Sequence, residues 1–235
     1  MIFMKKLKSI ITTVVLFVLQ ITHSTIFAAI ISLLFYGNFH LFNIDMKIEQ
    51  EILITTFSSF LFMIFMIIFY HKTLKKDLND FKENFKEHLK FGIKYWLLSV
   101  FIMIISNIAI QMIYPGVAEN EQIVSTYTKT FPLCMLFCNV IYAPVVEELI
   151  YRKSIRDIFK NDFLYILFSG LIFGYIHTAL SSNDMEILYV IPYGIVGCAF
   201  AYIHTKTNNI FTSITLHALH NGIVTLTYFL PMILK

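Results

Sequence analysis

Two carboxylates and a guanidinium stand together in an apolar stretch, Pro144-Val145-Val146-Glu147-Glu148-Leu149-Ile150-Tyr151-Arg152. One charge at the centre of a membrane helix costs about 2.5–3.5 kcal/mol on insertion scales, so three in one place call for a function. On a helix, residues four apart share a face, and Glu148 is placed to neutralise Arg152. Glu147 is turned by about 100° from its neighbour, which leaves its carboxylate free to face elsewhere. An unpaired carboxylate in apolar surroundings suits proton abstraction near neutral pH. Further along, His177 follows Phe173 by four positions, and Asn221 follows His217 by four. A base for water beside donors for a developing oxyanion is what hydrolysis of a peptide bond needs. His220 breaks that spacing and reads as structural, and His23 and His204 have no partner that spacing names.

These residues must be held by membrane helices. Of 235 residues, 57% are hydrophobic and 14% charged, with a mean hydropathy of +0.72; soluble domains carry about 25% charged residues. A net charge of +3 points to no nucleic-acid partner. Cys134, Cys138 and Cys198 all lie in apolar segments without a CxxC or Cys/His cluster, so neither a disulfide framework nor a structural zinc is expected.

Apolar runs at 10–36, 51–70, 92–114, 131–151, 163–180, 186–204 and 209–232 give an all-α, polytopic helix bundle. The count is seven spans, or eight if the first run or a short re-entrant piece is counted separately. Lys5, Lys6 and Lys8 imitate the start of a signal peptide, but the apolar run continues to Tyr36 and reads as a retained first span. Fifteen lysines and arginines fall before span one or after spans two, four and six, and Lys47, Lys129 and Lys235 fall on the other side. The positive-inside rule then predicts a cytoplasmic N-terminus in a cell membrane. Residues 1–130 read as N-terminal spans and 131–235 as a catalytic core. Within the first part, 71–94 forms an amphipathic cytoplasmic segment, with Leu74, Leu78, Phe81, Phe85 and Leu89 on one face toward the bilayer. The loop Pro115–Thr130 carries Glu119 and Glu121 but no expected chemistry.

Depth constrains the fourth helix. If it stopped at Arg152, Glu147 would lie only about 8 Å from the cytoplasmic end, and His177 about 21 Å in. Extending the helix to Asn161 brings Glu147, His177 and His217–Asn221 to matching depths, about 13–24 Å. They then share one cavity, expected to open to the cytoplasmic side.

Glu147-Glu148-x-x-x-Arg152, Phe173-x-x-x-His177 and His217-x-x-x-Asn221, in this order on separate spans, resemble the CPBP family. That family comprises the type II CAAX prenyl endopeptidases and bacterial relatives described as bacteriocin-processing or self-immunity (Abi) proteins. Gly194, Gly197, Tyr202 and Thr205-x-Thr207-Asn208-Asn209-Ile210 also fit, and the resemblance covers Leu133–Val224. It implies a metal-free intramembrane glutamic endopeptidase with no cofactor. Glu147 would activate water with help from His177, His217 and Asn221 would hold the oxyanion, and Glu148, Arg152 and Phe173 would support them. The substrate would be a membrane-associated peptide or protein. The competing readings are a zinc peptidase on the same residues, although no HExxH is present, a non-catalytic immunity or scaffold protein, and, third, a transporter.

Overall fold

A computed structural model describes residues 2–36, 47–179, 181 and 183–233. Nine helices and no strand are found among them: α1 (Ile2–Tyr36), α2 (Ile48–Phe69), α3 (His71–Glu83), α4 (Phe85–Ile113), α5 (Glu119–Thr130), α6 (Pro132–Ile158), α7 (Asp162–Ile176), α8 (Asp184–Thr207) and α9 (Ile210–Ile233). The all-α bundle is as expected. Each of the seven apolar runs holds a helix, but among the described residues only α1, α2, α4, α6 and α8 are long and apolar enough to cross a membrane. The fifth run is cut to the 15 residues of α7, and α9 completes the bundle.

Three expectations change. The fourth-run helix passes Arg152 as the depth argument required, but it ends at Ile158 rather than Asn161. Asn161 instead caps α7, its side chain accepting the Leu164 N–H at 3.0 Å. The loop 115–130 contains a helix, α5. The amphipathic segment 71–94 breaks at Asn84 into α3 and the first turns of α4.

The helices run alternately between two ends. One end holds α3, the starts of α4, α7 and α9, and the last turns of α2, α6 and α8. There, Tyr70 at the end of α2 meets Ser154 of α6, 2.8 Å between hydroxyls, and Asp77 of α3 accepts the first N–H of α9, from Ile210, at 3.1 Å. The other end holds α5, where Tyr127 donates to Glu51 of α2 at 2.7 Å and Tyr193 of α8 donates to Glu121 at 3.0 Å.

α7 and α8 pack backbone to backbone through small residues, the usual solution where lipid supplies no hydrophobic drive for helix association. A Cβ on Gly174 would come within 2.5 Å of the Val190 carbonyl oxygen, and one on Gly170 within 2.9 Å of the Gly194 oxygen. This approach sets the position of Phe173 and His177 on α7. Gly174→Ala should therefore destabilise the bundle by about 1–3 kcal/mol through overpacking, read as a lower thermal unfolding temperature in detergent.

The α8–α9 corner is fixed by α3. Asn208 takes the left-handed conformation, φ 48°, and the Asn209 amide donates to the Asp77 carbonyl at 2.7 Å and to Asp80 Oδ2 at 2.6 Å. Asp80 also accepts from Asn84 at 2.8 Å and faces His88 Nε2 at 3.0 Å. Hydrogen bonds from Asn209 first, then from Asn84 and His88, hold its carboxyl below the ordinary 3.8; burial pushes neighbouring Asp77 the other way. A depressed carboxyl stabilises the fold above its unfolded pKa, and that contribution is lost as pH falls through the folded value. Asp80→Asn should lower the unfolding temperature by at least about 2 °C at neutral pH. The gap to wild type should close as the pH is taken below 3.8.

Candidate active site

α6 departs from α-helical winding twice, at Phe137–Tyr142 and Glu148–Ser154, where the turns widen to π-helix. Such turns are rare and concentrate at functional sites. In the first, the Ala143 N–H reaches back five residues to the Cys138 carbonyl. The same register would send the next N–H to Asn139, but the next residue is Pro144, which has none. The freed Asn139 carbonyl accepts instead from Asn221 Nδ2 of α9 at 2.9 Å. Proline and asparagine thus tie α9 to α6 about two turns before the acidic pair.

The second wide turn carries Glu148 and Arg152, both 0% exposed. Arg152 Nε lies 3.0 Å from Glu148 Oε2, an ion pair whose angle falls short of hydrogen-bond geometry. Arg152 Nη1 donates to Ser169 Oγ of α7 at 3.1 Å, and Ser169 donates to the Tyr151 carbonyl at 2.6 Å. The guanidinium lies over the rings of Phe173 and Phe200, 4.7 and 5.7 Å to their centroids. This explains Phe173 of the second motif: it covers the face of the buried cation.

The other Glu148 oxygen, Oε1, is 2.9 Å from His217 Nδ1. An ionised carboxylate only accepts, so Nδ1 carries the proton and His217 Nε2 is bare in the neutral ring. Nε2 points to Glu147 Oε2 at 3.8 Å, and that oxygen is buried with no hydrogen-bond partner. His177 repeats the pattern: its Nδ1 is 2.7 Å from the Phe173 carbonyl, leaving Nε2 free. Its ring stacks on Tyr193 with centroids 4.7 Å apart. Toward an oxyanion, then, a neutral His217 is an acceptor and becomes a donor only when it gains a proton.

Glu147, Phe173, His177, His217 and Asn221 all line one cavity of about 350 Å³, so the three motifs converge as the depth argument required. Glu148 and Arg152 lie behind it as a buried support. Spacing did not reveal Asn139, whose Nδ2 is buried with no partner beside Asn221. The signal was available, since Asn139 stands five residues before Pro144. Nor did it reveal Glu121 and Asn120 of α5, which form part of the cavity wall where no chemistry was expected. Three histidines find structural partners. His204 meets the Tyr165 hydroxyl at 2.7 Å, and His23 meets Ser59 at 3.1 Å. His220 accepts from Trp96 Nε1 at 3.4 Å while also lining the cavity. The walls come from the α5 end of the bundle, opposite the lysine-rich end at which an opening was expected.

The bundle thus places a carboxylate oxygen with no hydrogen-bond partner, two histidines and an asparagine around one cavity. Residues 129–223 match the family model described as type II CAAX prenyl endopeptidase Rce1-like, and the resemblance carried by the three motifs is borne out. Among curated proteins the chain is similar to YdiL of Bacillus subtilis strain 168, whose name proposes a membrane peptidase. The two are 29% identical over 49% of this chain and 45% of that protein. It is also similar to the UPF0177 proteins YaiH and YxdF of Lactococcus lactis strain IL1403. YaiH is 31% identical over 52% of this chain and 49% of the relative. YxdF is 26% identical over 53% of this chain and 71% of the relative. The chain spans about half the length of the first two. No solved structure matches it significantly.

Removing one member of a buried ion pair leaves the other uncompensated, at a cost of about 3–5 kcal/mol, whereas replacing both with apolar residues costs far less. Arg152→Ala should therefore unfold at a markedly lower temperature than the double variant Glu148→Leu/Arg152→Leu. Thermal unfolding of the two purified proteins in one detergent checks the order.

Proposed function

We propose that the chain is an intramembrane endopeptidase that hydrolyses a peptide bond in a membrane-associated peptide or protein, with Glu147 as general base. The observation that carries this reading is the buried, unpartnered Glu147 Oε2 facing His217 Nε2 across 3.8 Å in a cavity shared with His177 and Asn221. Glu147 takes a proton from water, and the resulting hydroxide attacks the scissile carbonyl carbon. The oxyanion that forms is held by the second Asn221 amide hydrogen, the first being fixed on Asn139. His217 joins as a donor once it holds a proton, which Glu148 at 2.9 Å stabilises. The proton that Glu147 took from water passes through His217 Nε2, 3.8 Å away, to the departing amine as the C–N bond breaks, and His177, which lines the same cavity, assists. Glu148 and Arg152 keep His217 in one tautomer and orientation and touch no substrate.

The setting is a bacterial cytoplasmic membrane with the N-terminus inside, from the distribution of lysines and from the relatives' bacterial sources. The name of YdiL and the family model support a peptidase over a passive immunity or scaffold protein. Against zinc chemistry, no three His, Cys, Asp or Glu side chains among the described residues come together in a metal-holding group.

The test uses the purified protein in detergent with a library of apolar peptides. Wild type should cleave a subset, and Glu147→Gln, which keeps the size and removes the base, should lower the rate by about 10²–10⁴. Chelators should leave the wild-type rate unchanged. Loss of activity with chelation and its return with zinc would instead favour the metallopeptidase. Equal rates for wild type and Glu147→Gln would remove Glu147 as the base.

A further inference from the structure

The cavity and the positive charges of this molecule lie at opposite ends. Its walls come from the last turns of α4, from α5, and from the first half of α6. The end of α7, the first half of α8 and the middle of α9 complete it. The cavity thus runs from the α5 end to the middle of α6 and α9, where Glu147 and His217 stand. The lining residues exposed at the surface are Gln111, at the end of α4, and Val117, just before α5; Val117 is 56% exposed. The mouth therefore lies at the α4–α5 connection. Along the walls, Asn107, Gln111 and Asn120 offer amide donors and acceptors of the kind an extended peptide backbone uses.

The other direction is closed. Immediately beyond Glu147 and His217, toward α3, lie Glu148, Leu149, Ile150, Tyr151 and Arg152, all 0% exposed. Ile203 of α8 and Ile210 of α9 are also 0% exposed. The corner beneath them is bolted to α3 by the Asp77–Ile210 and Asp80–Asn209 contacts of 3.1 and 2.6 Å.

The charges orient the molecule. The sealed end carries Lys72, Lys75, Lys76 and Lys82 on α3, three more lysines in the first turns of α4, and Lys160 and Lys206 after α6 and in the last turn of α8. Among the described residues, the α5 end carries only Lys47 and Lys129. By the positive-inside rule the sealed end is cytoplasmic.

We infer that the active-site cavity opens to the non-cytoplasmic side of the membrane, so that the bond it receives belongs to a segment already translocated or lying in the outer leaflet. The substrate class follows: the outward-facing part of an exported or membrane-anchored peptide, not a cytoplasmic precursor. The sidedness stands on packing and charge alone. The substrate class rests in addition on the peptidase reading.

Cysteine labelling separates the two. In a chain whose three native cysteines are replaced (Cys134→Ser, Cys138→Ser, Cys198→Ala), Gln111→Cys and Val117→Cys mark the mouth, and Lys82→Cys and Lys160→Cys mark the sealed end. Intact cells are treated with a membrane-impermeant maleimide before and after permeabilisation. The mouth pair should label in intact cells, and the lysine-end pair should gain its label, at least tenfold, only on permeabilisation. Labelling of the lysine-end pair in intact cells, or of the mouth pair only after permeabilisation, would overturn the inference. Two positions at each end keep the result readable if one variant fails to fold. Because labelling involves no hydrolysis, an inactive protein with an outward mouth would count against the peptidase reading alone.

Discussion

The structure turns on one carboxylate, Glu148. It is fully buried, yet it contacts Arg152 on its own helix at 3.0 Å and His217 of α9 at 2.9 Å. Ionising such a group away from water costs several kcal/mol, and only a close cation with further hydrogen bonds offsets that. The offset comes from three other helices. α7 supplies Ser169 and Phe173, α8 supplies Phe200, and α9 supplies His217. Helix packing at this level is therefore set by the need to keep one charge neutralised. The tautomer of His217 is a consequence of the same contact, and so is the direction in which its bare nitrogen faces Glu147.

Glu147 differs from Glu148 by one position and by everything around it. One carboxylate is consumed by structure, and the other lies in the cavity wall with its Oε2 in no hydrogen bond. The wide turns of α6 make that division. They shift the register around Pro144, free the Asn139 carbonyl for Asn221, and place the acidic pair between a sealed core and an open wall. The segment that matches the peptidase family model, 129–223, holds all of these residues. The first half of the chain adds α3, which locks the α8–α9 corner, and α5, which roofs the cavity.

Much of this was readable from residue types and spacing. Charges in an apolar run announce themselves because lipid excludes them, and four-residue spacing separated the Glu148–Arg152 pair from Glu147. Helical rise alone showed that α6 had to pass Arg152 for the motifs to meet. What spacing could not show depends on contacts between distant segments. The first π-turn leaves the Asn139 carbonyl without the N–H that Pro144 lacks, and the donor that takes its place, Asn221, is on another helix. The role of α5 as a roof rests on Tyr193 and Tyr228, which donate to Glu121 from far along the chain. The partners of His23 and His204 are likewise on other helices. The sealed layer behind the site depends on such contacts too: charge distribution orients a membrane protein, but only packing says where its interior is close-packed.

The central claim is that Glu147, set free by its neutralised neighbour, hydrolyses peptide bonds in the membrane. The most direct measurement compares the membrane-associated peptides of cells carrying the wild-type chain with those of cells carrying Glu147→Gln at equal protein levels. The account predicts cleavage products present with wild type and missing with the variant, each with its uncut precursor accumulating. Identical peptide populations in the two strains would contradict it.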